Sequence, residues 1–454
     1  MGARITDSAL YAHLWGTDEL RAVFDERARL QTWLDVLAAL AEVQAELGIV
    51  PAAAAEAIVR ESKVERLDLD FVAEETRRTG HSTLGLIHGL RRVLPEEAGE
   101  WVYYGVTVQD VTDTWAALAM RATGAAAWRD LRAIEGSLLD LAERHRDTLM
   151  AGRTHGQTGA PITFGLKAAG WGDEVRRHID RLREGSPRWL VGQLGGAVGT
   201  LGFFGEREPE LRRRFCRRLG LGDPGIAWTS SRDRVAEFVG LLAMAASTVA
   251  RIGNEVYQLQ RPEIGELREP ARAELVGSIT MPHKRNPEVS EHLVTLSRLV
   301  RAQAAVVLEG MVAEHERDGR GWKAEWVAFP EACLLTGAAL RFCSEMVAGL
   351  EVDAEAMLAN LGGYAASEAV LAALAPRLGK HRAQELLQEA LAEGRAKGRS
   401  LEEALAASEA LREHLDPEVL ERASRPDPGS APHDVDEVVS RIRKAREAEG
   451  AEWP

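Results

Sequence analysis

The stretch DRVAEFVGLLAMAASTVARIGNEVYQL, residues 233–259, restricts the fold more than any other part of the chain. Its helical projection is apolar on nearly every face, whereas a helix on a protein surface carries a polar stripe. Such a helix has to be enclosed by other helices, and a bundle shared between subunits buries it more readily than a lone monomer does. Helical periodicity dominates elsewhere too, and alternating strand-like runs are scarce. Residues 19–47 set Leu20, Val23, Phe24, Leu30, Trp33 and Leu34 at helical spacing, with Gly48 as a stop. Residues 287–312 repeat the pattern through Val289, Leu293, Leu296, Val300 and Val307. A further helix is expected over 325–350. The predicted fold is all-α: a central long-helix bundle over 105–350, an N-terminal helical domain over 1–104 and a C-terminal helical domain over 351–454. The proline-rich SRPDPGSAPHD, residues 424–434, reads as a connection to a last short helix.

Several function classes are excluded at this level. With 454 residues, 45% hydrophobic and 28% charged, the chain can bury a sizeable core, which rules out disorder as its main state. A net charge of −14 argues against non-specific affinity for nucleic acid or anionic membranes. The uncharged run at 238–250 is far short of the roughly 20 residues of a membrane span. The start, MGARITDSALYAHLW, has no apolar signal core, so a cytoplasmic location is expected. Cys216, Cys333 and Cys343 form no CxxC or Cys/His cluster, which argues against a disulfide framework or a zinc site. The glycine-rich GQLGGAVGTLG (192–202) lacks the strand–turn–helix setting and downstream acid of a dinucleotide site. The basic run RRRFCRR (212–218) reads as a solvated helix face.

Four polar clusters could carry chemistry. In GSITMPHKRNPEVSEHL (277–293), Asn286 is placed to cap a helix opening at Pro287, so Lys284 and Asn286 stand where free amides and the helix dipole attract an anion. Small residues before it, Gly277 and Ser278, allow a mobile loop. In YGVTVQDVTDT (104–114), Thr107 and Asp110 have capping-box spacing, and the Thr107 hydroxyl could also meet a substrate carboxylate. In AGRTHGQTGAP (151–161), glycines flank Thr154 and His155, which lets backbone approach a ligand, and histidine suits proton transfer near neutral pH. Thr79, Gly80, His81, Ser82 and Thr83 precede the helix LGLIHGLRRVL. Each of the four also reads as ordinary capping or loop structure.

Taken together, these segments resemble the aspartase/fumarase superfamily. GSITMPHKRNP is similar to its signature GSSxMPxKxNP, YGVTVQDVTDT to its Thr-Ser-x-Asp segment, and GRTHGQ to its Thr-His segment, in the family's chain order. QLGGAVGTLG, WTSSRDRVAEF, EIGELREP and HERDGRGWKAEW resemble the branch of adenylosuccinate lyase and 3-carboxy-cis,cis-muconate cycloisomerase, the cycloisomerase most. Two hydroxyls of the family pattern are missing: Ile279 replaces the second signature serine, and Val108 follows Thr107. The segment AHLWGTDEL (12–20) lacks the Arg-Tyr phosphate-binding pair of adenylosuccinate lyases, which favours a small di- or tricarboxylate over a nucleotide.

The resemblance implies β-elimination from a succinate-type substrate to give fumarate or a relative, with carbon–nitrogen cleavage of a nitrosuccinate- or aspartate-adduct type favoured. The alternatives are lactonisation of the cycloisomerase kind and a catalytically silent structural homologue. It assigns Ser278 as base, His155 as proton donor or orienting group, and Thr107, Thr154, Lys284, Asn286, His81, Ser82 and Ser231 as substrate-binding residues. No cofactor or metal is implied. A homotetramer with each active site built from three chains is.

Overall fold

The computed structural model describes residues 4–271, 279–281, 283–450 and 452–453. Five helices build its centre: α1 (Val108–Arg144), α2 (Phe164–Trp189), α3 (Asp233–Leu259), α4 (Glu288–Glu309) and α5 (Gly319–Ala348). Among the described residues the only sheets are two antiparallel pairs, β1 (Leu149–Thr154) with β2 (Gln157–Thr163), and Leu267–Arg268 with Glu351–Val352. The fold is all-α, as the periodicity predicts.

Helix α3 occupies the bounds read from sequence, and Phe238, Val239, Ala246, Val249, Ile252 and Val256 along it are wholly buried. Both α3 and α5 are long and apolar enough to cross a bilayer, which counting uncharged residues alone did not reveal. Their most apolar windows are 67% and 78% buried inside the chain, as core helices should be.

Local chemistry explains the departures from the predicted elements. The helix expected over 19–47 is broken in two, Asp18–Phe24 and Glu26–Glu46, because the Asp25 carboxylate caps the second piece by accepting from the Arg27 and Ala28 amides at 2.9 and 3.2 Å. Helix α5 starts at Gly319 rather than 325, where Asp318 accepts from the Arg320 amide at 2.9 Å. The last helix is not short: α6 (Ala431–Glu449) has 19 residues.

A second, smaller core gathers Val370, Leu374, Leu386, Leu401, Leu405 and Leu411. Helix α6 instead returns to the central bundle, where Val435, Val439 and Ile442 join the main core. Fully buried Glu135 on α1 accepts from Arg176 at 2.6 and 2.8 Å and from Arg446 of α6 at 2.5 Å. Glu449 pairs with Arg132 at 2.5 Å and with Arg176. Beyond α6, Trp453 lies 6.2 Å from the rings of both Trp128 and Trp189, over Gly124, where any side chain would collide with it.

Between α2 and α3 lies buried His178. Thr248 spends its hydroxyl hydrogen on Glu174 at 2.6 Å, so it accepts from His178 Nε2 at 2.7 Å, while Arg181 donates to Nδ1 at 3.2 Å. That arrangement selects the neutral Nε2–H tautomer, and burial, reinforced by Arg181, lowers the pKa to about 4. The folded state therefore binds fewer protons than the unfolded one between about pH 6.5 and 4, and this contribution to stability is present above that window and lost as pH falls through it. On the order of 3 kcal/mol is at stake. Urea titrations of wild type and His178→Gln should show the variant with a flatter loss of stability over that interval; parallel profiles would refute the assignment.

Candidate active site

Helix α1 is about 55 Å long for its 37 residues, and the predicted site residues fall at its two ends. At the N-terminal end, Thr107 and Asp110 form the expected capping box, with the Thr107 amide donating to Asp110 at 2.9 Å. The Asp110 carboxylate also accepts from the amides of Gly195 and Gly196, at 2.6 and 3.0 Å. Burial pushes its pKa up to about 7, against the pull of those three donated hydrogens. Gln109 donates to the Thr229 carbonyl at 3.0 Å, and Thr114 to the Gln193 carbonyl at 2.9 Å. Loops 192–202 and 228–232 are thereby fixed to the start of α1.

The chain enters α1 through Tyr103 and Gly105, both with positive φ. A side chain at Gly105 would run into the rings of Phe203 and Phe204, so glycine is needed there twice over. The turn brings the partly buried Tyr103 hydroxyl to the hydroxyls of Thr83 and Thr107. Burial, then the Asp110 charge, raises the Tyr103 pKa, so it stays a neutral donor. Arg317 is close enough to act on it electrostatically. The Arg317 guanidinium donates to the carbonyls of Gly196 and Ala197 at 3.4 and 3.0 Å, and its buried Nε has no partner.

Of the predicted residues, Thr107, His81, Ser82 and Ser231 belong to this end. His81 is exposed, with Nδ1 3.4 Å from the Thr83 amide, and Ser82 is partly exposed beside it. Thr83 makes no side-chain cap to the helix Leu84–Val93, so the capping reading of that stretch fails. Ser231 is exposed and precedes Arg232, whose buried guanidinium joins Asp113 of α1 (2.8 and 3.1 Å) to Glu325 of α5 (2.9 and 2.5 Å). Tyr103, Thr83 and Arg317 were not selected from sequence as site residues. The hint for Arg317 was the distinctive HERDGRGW string.

Thr154, His155, Lys284 and Asn286 lie at the opposite end. Residues 151–161 form a β-hairpin rather than an irregular loop: Thr154 pairs with Gln157, and His155 and Gly156 are its two turn residues, at φ of 53° and 74°. Positive φ at both is the type I′ geometry that suits strand twist, and histidine is among the side chains that tolerate it. The tip from Thr154 to Gly159 is exposed. Arg153 below it is held bidentately by fully buried Glu266, at 2.6 and 2.9 Å.

Ser278 lies outside the described residues, as does Gly277. Lys284 is exposed and Asn286 partly exposed, its amide nitrogen 3.2 Å from Glu288. The expected capping by Asn286 is corrected: α4 starts at Glu288, and buried Glu269 caps it by accepting from the Val289 and Ser290 amides at 3.2 and 2.7 Å. Those two amides are therefore already paired with Glu269. Arg285 is tied to Glu351 at 2.8 Å, which fixes the end of the signature segment.

Known proteins resemble this chain along most of its length. Residues 15–302 match a family model described as Lyase, and 363–442 match one described as Adenylosuccinate lyase C-terminus. The chain is 39% identical over 444 residues to an N-acetyl-S-(2-succino)cysteine lyase of Dickeya dadantii, covering 97% of this chain and 98% of that one. It is 40% identical over 374 residues to a 3-carboxy-cis,cis-muconate cycloisomerase of Pseudomonas aeruginosa, covering 81% and 82%. The crystal structure of the 3-carboxy-cis,cis-muconate lactonizing enzyme from Pseudomonas putida superposes with a TM-score of 0.88 at 34% identity, covering 96% and 99%. The three sequence segments at the ends of a common helical bundle, and relatives matched along almost their whole length, place this chain among the lyases of the aspartase/fumarase superfamily.

Proposed function

We propose that the protein catalyses addition–elimination across the Cα–Cβ bond of a small succinate-type di- or tricarboxylate. The observation that carries this reading is the donor-lined corner at the start of α1. There Tyr103 has the Thr83 and Thr107 hydroxyls and the Arg317 charge as neighbours, and the buried Nε of the half-buried Arg317 lacks a partner, a donor set that suits a carboxylate. In the elimination direction Ser278 takes the Cα proton, the electron pair forms the double bond, and the group on Cβ leaves with its bonding pair. The intermediate dianion is held by Lys284 and Asn286, while Thr107 and Thr154 hold carboxylates. His81, Ser82 and Ser231 line the rim, and His155 protonates or orients the leaving group.

Lactonisation is the intramolecular form of the same chemistry, in which a carboxylate oxygen is the group on Cβ. It has better support than the carbon–nitrogen cleavage favoured from sequence. The lactonizing enzyme matches nearly the whole chain, and the resembling segment 315–326 carries a T-shaped Trp322–Trp326 pair at 5.0 Å.

Because one chain anchors its two groups of residues at opposite ends of α1, a complete site requires neighbouring subunits. Exposed Leu299, Val306 and Leu308 on α4 and Met244 on α3 offer apolar surface for such packing, and a homotetramer in which three chains complete each site satisfies both demands. Incubation with 3-carboxy-cis,cis-muconate, nitrosuccinate and aspartate adducts, followed by absorbance and product analysis, is expected to show turnover of the muconate. Turnover of a nitrogen adduct alone would restore the carbon–nitrogen reading. Mixing inactive His155→Ala with inactive Arg317→Ala chains, unfolded and refolded together, is expected to recover part of the activity; no recovery in mixed tetramers would sink the shared-site reading.

A further inference from the structure

We infer that Asp110 is a positioning residue: it pins Gly195 and Gly196 against the start of α1, and the loop so held carries the carbonyls that aim Arg317. A capping box needs only the amide of Thr107, yet this carboxylate takes two further amides from a loop 85 and 86 positions away. Oδ1 accepts from Gly195, whereas Oδ2 accepts from both Gly196 and Thr107. Three donors on one side chain call for a carboxylate, since an asparagine would turn an NH2 group toward at least one of them. Gly196 is thus gripped at both polar atoms, its amide by Asp110 and its carbonyl by Arg317 at 3.4 Å. Its φ of +66° suits glycine, and the Leu201 amide closes the loop onto the Gly195 carbonyl at 3.0 Å. The consequence is a guanidinium fixed within electrostatic reach of Tyr103 by a carboxylate to which it makes no hydrogen bond.

The kinetic consequence rests on the lyase reading; the loop claim does not. Asp110→Asn should speed hydrogen exchange of the Gly195 and Gly196 amides by about tenfold or more relative to the rest of the bundle. For the substrate that wild type turns over, KM should rise about tenfold with kcat within about twofold, because ground-state placement of a carboxylate is what is lost. In the double variant with Arg317→Lys, the rise should not exceed that of Arg317→Lys alone, as expected of two residues acting through one contact. Gly196→Ala strains the same turn without altering the helix cap and should raise KM alike, which keeps the test usable should Asp110→Asn misfold. Unchanged exchange, a lowered melting temperature with normal KM, or multiplying effects would each overturn the inference. If wild type turns over no carboxylate at all, the lyase reading fails, and the exchange measurement still decides the role of Asp110.

Discussion

Replacing Ser278 with alanine is expected to lower kcat by about 10²- to 10⁴-fold, the usual yield of a positioned base, while substrate still binds. A serine hydroxyl is a weak base in water. It can accept a carbon-bound proton only where donors and excluded solvent stabilise its alkoxide. Single-turnover kinetics in the elimination direction, with the succinate adduct or lactone deuterated at Cα, give the check. The wild type should show a primary isotope effect on the chemical step, and a variant with near-normal turnover would remove Ser278 from the role of base.

The second large effect concerns Arg232. Its side chain is 2% exposed and joins two carboxylates, Asp113 and Glu325, that are 2% and 6% exposed. Arg232→Ala leaves both acids buried without their cation, and breaking a buried pair of this kind costs about 3–5 kcal/mol. The bridge ties α1 to α5 immediately behind Ser231 and the Thr229–Gln109 contact, so the donor corner at the start of α1 should loosen along with the bundle. Chemical denaturation should show the loss, and adding Asp113→Asn and Glu325→Gln to the same chain should recover much of it. If the single variant is as stable as wild type, water or rearrangement already compensates the acids, and the bridge is not what holds these helices together.

How much of this was legible in the sequence depends on how local each cause is. The bounds of α3 and the Thr107–Asp110 box could be read directly, because periodicity and capping act over a few residues. The His155–Gly156 turn was hidden by the surrounding glycines, which pointed to a loop while the flanking residues paired as strands. Asn286 looked like the cap of α4, but the side chain that caps it, Glu269, comes from about 20 positions upstream, and no local spacing announces that. Arg317, Tyr103 and Thr83 come together only through tertiary packing, from three distant stretches of chain. The two-ended placement of the predicted residues was implicit in the length of α1 and in the position of Thr107 before it and His155 after it. Reading it required only the helical rise.

The return of α6 to the bundle bears on the order in which the polypeptide can mature. Helices α1 and α2 surround Glu135 and Arg176, yet Arg446, Glu449 and Trp453, which complete that neighbourhood, are made much later. During synthesis at about 5–20 residues per second, Trp189 waits roughly 15–50 s for Trp453 to arrive. Throughout that interval a greasy notch over Gly124 and a cluster of arginines stand open on a nascent chain still held by the ribosome, a window in which chaperones have something definite to cover.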